Sequence, residues 1–276
     1  MTYKIYQAYY KPDQIQFLDS KFEPYDNSNS QLHQYREYPI FLDIQQKASH
    51  LNLDKWGYFS WKYQQKLPGL TGDIICKQIE NNPDYDVYFW NPFSNYAVTA
   101  YNVWEQGQYF HPHLIDIMEH IFPIMGLDVN LLYQPMLPKV IYFGLYCVGN
   151  RKFWDGFLDL ASKYEHSIEH LPDSIAKLHN GPAGYEPFPD LGYFPFIHER
   201  LLSTYLHLNR NTLRIWSHHH NFQQYGDVWH LLYSVKLHAI STGDINLWHY
   251  YFRLRRQVGC NIHYAENWLN KIDNNI

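Results

Sequence analysis

Two carboxylates, Asp84 and Asp86, stand directly before the run Val87-Tyr88-Phe89-Trp90, and Asn91-Pro92-Phe93 stands directly after it. Consecutive apolar and aromatic residues with a β-branched member favour one short buried strand. Pro92 ends that strand because it has no N–H to donate to a ladder. Ligands of open α/β sheets sit just beyond the carboxyl ends of the strands, which puts Asn91 at the rim of a site. The competing interpretation is a plain surface turn after a core strand. With 17 His in the chain, metal ligation is a chemistry its residue types allow. His218-His219-His220 cannot aim three imidazoles at one ion from regular structure, because neighbouring side chains diverge. His111-x-His113 flanks Pro112 at a helix start, and no HExxH occurs. These histidines read as solvated or core residues, and no metal site is expected. Cys147, alone in an apolar strand, is a small core residue more readily than a nucleophile. GxSxG, P-loop and GxGxxG patterns are all missing, which disfavours the common hydrolase, NTPase and dinucleotide classes.

Tyr3 to Tyr10 is a first strand, with Gln7 and Tyr9 on one face by the period of two. An opening strand that ends in polar residues suits a nucleotide-binding α/β fold. Residues 22–30, rich in Asn, Asp, Ser and Pro, read as a loop. Residues 32–51 have helical character interrupted at Pro39, with the polar and aromatic cluster Tyr35-Arg36-Glu37-Tyr38 before it. Trp56 to Lys66 reads as a second strand. Thr71 caps a helix over 72–81. A helix over 113–125 buries Leu114, Ile117, Met118, Ile121 and Phe122. Lys139 to Val148 reads as a third strand, and Asn150 caps the helix after it, with Phe153, Phe157, Leu160 and Ala161 inward. Residues 178–195 form a long Gly/Pro loop, and such loops are usually functional or mobile. Pro195 opens a helix over 196–207 carrying Glu199 and Arg200. A short strand over 213–216 and helices over 227–241, 244–257 and 264–272 follow. Strands alternating with helices, then a helical C-terminal part, give an α/β class.

Composition bounds the function. The chain has 276 residues and a formal charge of −5, which disfavours a general nucleic-acid binder. Three scattered cysteines without CxxC spacing point to a reducing compartment. No signal peptide and no apolar run long enough to span a bilayer is visible, so a cytoplasmic protein is expected. Aromatic content is high, with 26 Tyr, 16 Phe and 9 Trp. Tyr and Trp combine an apolar body with a polar tip and suit pockets for sugars and bases.

Four tracts together carry a resemblance: Trp56-Gly57-Tyr58-Phe59-Ser60-Trp61-Lys62, Tyr85-Asp86-Val87-Tyr88-Phe89-Trp90-Asn91-Pro92-Phe93, Tyr146-Cys147-Val148-Gly149-Asn150-Arg151-Lys152-Phe153-Trp154, and Pro195-Phe196-Ile197-His198-Glu199-Arg200-Leu201-Leu202-Ser203-Thr204-Tyr205-Leu206. In this order they resemble the glycosyltransferases of bacterial capsular-polysaccharide and O-antigen gene clusters, over residues 3–208. The resemblance implies a GT-A-like, Rossmann-like nucleotide-sugar-binding core over 1–208 and a helical extension over 209–276. It implies transfer of a hexose from a nucleotide-diphosphate sugar, UDP-hexose first, to a glycan or lipid-linked glycan acceptor, with transient contact at the inner membrane face. Arg253-Leu254-Arg255-Arg256 is the small basic cluster available for that contact, or simply a solvated helix face.

On this resemblance, Gln7, Tyr9, Arg36, Trp61, Lys62, Asn91 and Arg200 are the donor-binding candidates, with Arg151 a further cation for the leaving diphosphate. His111, His113, Tyr185 and His198 are the acceptor-binding candidates. Glu199 and Asp86 are the candidate bases, with His198 a further one. Glu199 reads equally as a carboxylate complementing a helix dipole. The Asp-x-Asp metal signature of such enzymes follows its strand, whereas Asp84-Tyr85-Asp86 precedes one. Asn91 fills the expected position and is a weak ligand for Mn²⁺ or Mg²⁺, so metal-independent transfer is expected. The alternative is a non-catalytic carbohydrate-binding or scaffolding protein on the same fold.

Overall fold

A computed structural model describes residues 1–218 and 226–273, with the side chains of His33 and 270–273 outside the description. In chain order the strands are β1 Tyr3–Tyr9, β2 Glu23–Asp26, β3 Lys55–Ser60, β4 Val87–Phe89, β5 Cys147–Asn150 and β6 Ile215–Ser217. The helices are α1 Tyr38–His50, α2 Tyr63–Lys66, α3 Gly72–Glu80, α4 Ser94–Thr99, α5 Val103–Phe110, α6 Leu114–Ile124, α7 Arg151–Ile168, α8 Asp173–Asn180, α9 Phe194–Leu208, α10 Asp227–Thr242, α11 Ile245–Gln257 and α12 Tyr264–Asp273. The chain is therefore α/β, as its alternation of patterns predicts.

Two compact units divide it, and the partition differs from the expected boundary at residue 208. The first holds 1–92, 143–162 and 208–218; the second holds 93–142, 163–207 and 219–276. The C-terminal helices thus share a unit with the middle of the chain.

The first unit is built on one sheet ordered β2-β1-β3-β5-β4-β6. β1 pairs in parallel with β2 and β3, and β4 pairs in parallel with β6. β5 runs antiparallel to both of its neighbours, β3 and β4. Five strands consequently point their carboxyl ends to one edge, and β5 begins there. One face of the sheet packs Phe59, Tyr88, Trp90 and Val148 against Ile75 and Ile79 of α3. Rings of Phe41 on α1 and Trp154 on α7 meet Tyr58 and Trp56 of β3. Gly57 is required at the β3–β5 seam, since a Cβ there would stand 2.4 Å from the Cys147 carbonyl oxygen.

Local signals place the helices well. Thr71 Oγ1 accepts from Ile74 N, and Asn150 Oδ1 accepts from Phe153 N. Gly243 takes φ 70° to end α10, and Asp244 caps α11. Pro39 starts α1 instead of interrupting it, because a first-turn proline sacrifices no intrahelical bond. Three strand expectations change. β2 forms inside the expected 22–30 loop as a short edge strand, where Pro24 is tolerated. The chain after Ser60 turns into α2. The expected 139–148 strand is ordered as a ladder only from Cys147, because Gly144 and Leu145 both take positive φ, 84° and 56°, and break extended pairing.

The second unit is helical. Val98, Tyr101, Leu232, Val235, Trp248, Tyr251 and Phe252 share its core. At its centre Glu105 takes a bidentate hold on Arg255 at 2.9 and 3.0 Å and accepts from the backbone N–H of Tyr101 and Ala265. Such a charge pair is tolerable in a core only because every oxygen is satisfied.

Candidate functional site

The two edges of the first unit's sheet differ in chemistry. At the amino edge, Asp86 and Lys55 are taken up by structure. Asp86 accepts Arg214 N at 2.8 Å and Asn150 Nδ2 at 3.0 Å, with the Arg214 guanidinium at 3.5 Å. Burial opposes its ionisation, but these donors and the nearby Lys152 charge hold its carboxyl below the usual carboxylate range. Lys55 Nζ donates to the Pro83 carbonyl at 2.6 Å and to Tyr88 Oη at 2.7 Å. Asp86 therefore fastens the start of β4 to β5 and β6, and it is not placed to act as a base beyond the carboxyl ends. Asp84 is exposed on the same side of β4. This pair does not fit a cation bridging a diphosphate at the ligand edge, because Asp86's oxygens face backbone and amide donors.

The carboxyl edge is assembled differently. The strand order reverses at β1, whose two neighbours β2 and β3 follow it in sequence, and open α/β sheets bind ligands at the carboxyl ends beside such a reversal. Tyr9 and Tyr10 end β1, and Ser60, Trp61 and Lys62 end β3. Tyr10 and Tyr58 bring their hydroxyls to 3.3 Å, and Ser60 Oγ meets Tyr146 Oη at 2.8 Å. Phe17 packs on Trp61 at 5.6 Å between centroids, and Lys62 Nζ lies 5.0 Å from the same indole. Lys66 Nζ lies 5.7 Å from the Tyr146 ring. The charges of Glu37 and Arg36 both act on the Tyr10 hydroxyl, whose pKa burial, first, and Glu37 push up. α1 begins beside them at Tyr38, with no side-chain cap on its first turn.

Backbone strain gathers here too. Of the non-glycine residues with positive φ, Arg36 (50°) lies before α1 and Leu145 (56°) leads into β5. Gly144, next to Leu145, lets Pro92 approach, since a Cβ there would be 3.0 Å from Pro92 Cγ. Bulky residues in this region are uncommon and cluster at functional sites.

Among the donor-binding candidates, Tyr9, Arg36, Trp61, Lys62 and Asn91 therefore belong to the first unit's carboxyl-end segments. Tyr9 is hydrogen-bonded to Asp26 across the β1–β2 pair, and Asn91 is buried at the end of β4. Gln7 is not open to a ligand. It is fully buried; its Oε1 accepts Asp19 N at 2.7 Å and its Nε2 faces the Phe17 and Ser60 carbonyls at 3.5 Å. Its role is to hold the segment after β1 against β3. Arg151 lies in the first turn of α7, its guanidinium 5.9 Å from the Trp56 ring and bonded to Ser49 Oγ at 3.3 Å.

The remaining candidates sit in the second unit. Arg200 is buried and donates to the carbonyls of Val103 and Phe196 and to Gln106 Oε1, so it serves packing and not a phosphate. Glu199 is partly exposed on α9, 3.9 Å from Arg200 Nη1. His111 is bound to the Ala183 carbonyl at 2.9 Å and stacked on Phe196 at 3.8 Å. Burial, then the Arg200 charge, lower its pKa to about 4, and burial lowers that of His198 to about 3. Both are neutral core imidazoles and not acceptor ligands. His113 is exposed, 3.0 Å from Asp116, and Tyr185 is exposed against Phe188 and Phe196. Cys147 is buried, and burial raises its thiol pKa, in keeping with a core role.

Of the three consecutive histidines, His218 bonds Gln78 at 3.2 Å, while His219 and His220 lie outside the described residues. Among the described residues, His166, Glu169 and His170 form an exposed cluster of metal-ligand type at and just beyond the C-terminal end of α7. No described helix is long and apolar enough to cross a membrane.

Tyr10, Glu37, Ser60, Lys66 and Tyr146 complete the carboxyl edge without being among the candidate site residues, although Glu37 lies in the polar and aromatic cluster before α1 and Ser60 and Tyr146 lie in the resembling tracts. The doubled Tyr9-Tyr10 at a strand end was the available signal; Tyr146 had no further one, since its strand was expected to run through it. No family model, curated protein or solved structure matches this chain.

Proposed function

We propose that this protein is a glycosyltransferase that uses a nucleotide-diphosphate hexose, with the donor on the carboxyl edge of the first unit's sheet and a glycan as acceptor. The observation that carries the reading is the contrast between the edges: at one, Asp86 and Lys55 are taken up by structure, and the other gathers aromatic rings, hydroxyls and lysines at the β1–β3 strand reversal. The four tracts that resemble surface-polysaccharide glycosyltransferases support the transfer chemistry.

In this reading Trp61 and Tyr10 offer ring surface to the base, and Lys62 faces the diphosphate. The acceptor oxygen forms its bond to the anomeric carbon as the bond from that carbon to the diphosphate oxygen breaks. The departing diphosphate keeps the electron pair and is stabilised by the Lys62 ammonium. The acceptor proton passes to a carboxylate. Glu37 is the carboxylate we assign to that task, because its charge already acts at the Tyr10 and Tyr58 hydroxyls. Glu199 is the other carboxylate to test.

Thermal unfolding in the presence of nucleotides and nucleotide sugars tests the donor half, because a ligand of the folded state alone raises Tm. One base's diphosphate should stabilise the protein equally with EDTA and with Mn²⁺. Lys62→Ala and Trp61→Ala should each weaken that binding by about tenfold, the loss of one charge-assisted or stacking contact. Glu37→Gln should keep the nucleotide response and lose transfer. Absence of any nucleotide response would remove the reading.

A further inference from the structure

Outside the sheet edge, the second unit holds a cavity of about 260 Å³ between α4, α5 and the segment after α11. Its walls include Asn95, Tyr96, Tyr109, Phe110, Trp229 and Asn261. Tyr109 and Phe110 stand at 88° with centroids 5.0 Å apart, forming a corner, and Tyr96 meets Phe110 edge-on at 5.7 Å. Tyr109 and Phe110 are 44% and 40% exposed, so large ring surfaces are left in water where packing could have covered them. Gly259 adds no wall: it has open space where a side chain would stand.

The lining selects a class of ligand. Among the described residues, no carboxylate, ammonium, guanidinium or imidazole lines the cavity, and its thiol, Cys260, is held protonated chiefly by burial. A phosphate or carboxylate would therefore enter without a countercharge. A purely apolar molecule would desolvate the amides of Asn95 and Asn261 without giving them partners. A pyranose ring satisfies both constraints. Its C–H face lies on aromatic rings, and its hydroxyl rim exchanges hydrogen bonds with amides and tyrosine hydroxyls. The volume, somewhat below the roughly 300–1,000 Å³ of drug-sized pockets, suits a ligand of about one sugar ring.

We propose that this cavity is a binding site for a neutral saccharide unit, held by Tyr96, Tyr109 and Phe110 through ring contact and by Asn95 and Asn261 through hydrogen bonds. The site stands on its own lining and does not rest on the transfer reading.

Saturation-transfer NMR on the intact protein, without nucleotide, is the test. The probes are methyl glucoside, methyl galactoside, N-acetylglucosamine and a neutral trisaccharide, with glucuronate and a nucleoside monophosphate as charged comparators. At least one neutral sugar should receive saturation on its ring protons and slow alkylation of Cys260. Tyr109→Ala and Asn261→Ala should each weaken binding by about tenfold, one to two lost contacts, with unchanged circular dichroism. Both side chains lie at the surface, so loss of folding is not the expected result. The proposal is overturned if no neutral sugar binds, if only the charged comparators do, or if binding survives both substitutions unchanged. Nucleotide-dependent thermal shifts report on the other unit. Their presence without sugar binding removes this proposal alone, and their absence with sugar binding removes the transfer reading alone.

Discussion

Asp86 illustrates how a residue type can suggest one chemistry and a neighbourhood enforce another. A carboxylate next to an aromatic strand invites a catalytic role. Its oxygens, however, accept from Arg214 N and Asn150 Nδ2, residues 128 and 64 positions away. Asp86→Ala should destabilise the protein by roughly 2–4 kcal/mol, since it leaves two donors unpaired in a largely buried setting. The effect has a definite pH dependence. Its folded pKa is lowered, so the stability it contributes is present above the ordinary carboxylate range and is lost as pH falls through the folded value. Denaturant midpoints of wild type and Asp86→Asn should converge in acid, and a constant gap down to pH 2 would contradict this account. Lys62 contrasts with it: exposed, beside Trp61, it can be removed without touching the fold. A weakened nucleotide response with unchanged melting of the free protein is therefore the expected signature of Lys62→Ala.

At the level of elements, the antiparallel β5 decides the shape of the sheet. It pairs Tyr58 with Cys147 on one side and Phe89 with Cys147 on the other, so the start of β5 joins the carboxyl edge. That brings Tyr146 to Ser60, and Gly57 makes the approach possible. Gly57→Ala should cost about 2–3 kcal/mol or more, as overpacking against backbone cannot be relieved by rotating a side chain. Gly69→Ala makes an informative comparison. Gly69 has φ 82° but nothing within 4 Å, so its cost should be the smaller one of backbone strain alone. Equal thermal shifts for the two variants would mean that the β3–β5 seam relaxes more readily than its contacts suggest.

Across the whole molecule, each compact unit carries its own core and its own kind of buried charge. In the second unit Lys236 is fully buried and donates to the carbonyls of Ala97 and Ala100 at 2.9 and 2.6 Å. Burial lowers its pKa from 10.5 to about 7, with the Glu105 charge opposing the drop. Between those values the unfolded chain binds the proton that the native state has released, so stability rises with pH. Urea unfolding at pH 7 and pH 9 should show wild type gaining stability relative to Lys236→Met. A pH-independent difference would mean that Lys236 keeps its proton beside Glu105. On the acid side His111 and His198, with pKa values of about 4 and 3, act in the same direction. Each is neutral when folded and binds a proton when unfolded, so stability falls as pH drops below the ordinary imidazole range.

The sequence by itself determined what depends on neighbours a few positions away. The caps at Thr71 and Asn150 and the buried stripe of α6 are steric and hydrogen-bonding facts confined to one or two turns. The α/β class and the carboxyl-end position of Asn91 followed from the same local patterns. Tertiary structure alone decided which edge keeps free chemistry. It made Gln7, Arg200, His111 and His198 core residues, joined Tyr146 to the sheet edge, and turned the apolar run before Cys147 away from the ladder. The physical reason is that burial and sheet pairing are set by partners far away in sequence. Gln7 meets Ser60 53 positions on, and Arg200 meets Gln106 94 positions back. A side chain's type fixes what it can donate or accept, and only the assembled fold fixes whether those groups are already taken.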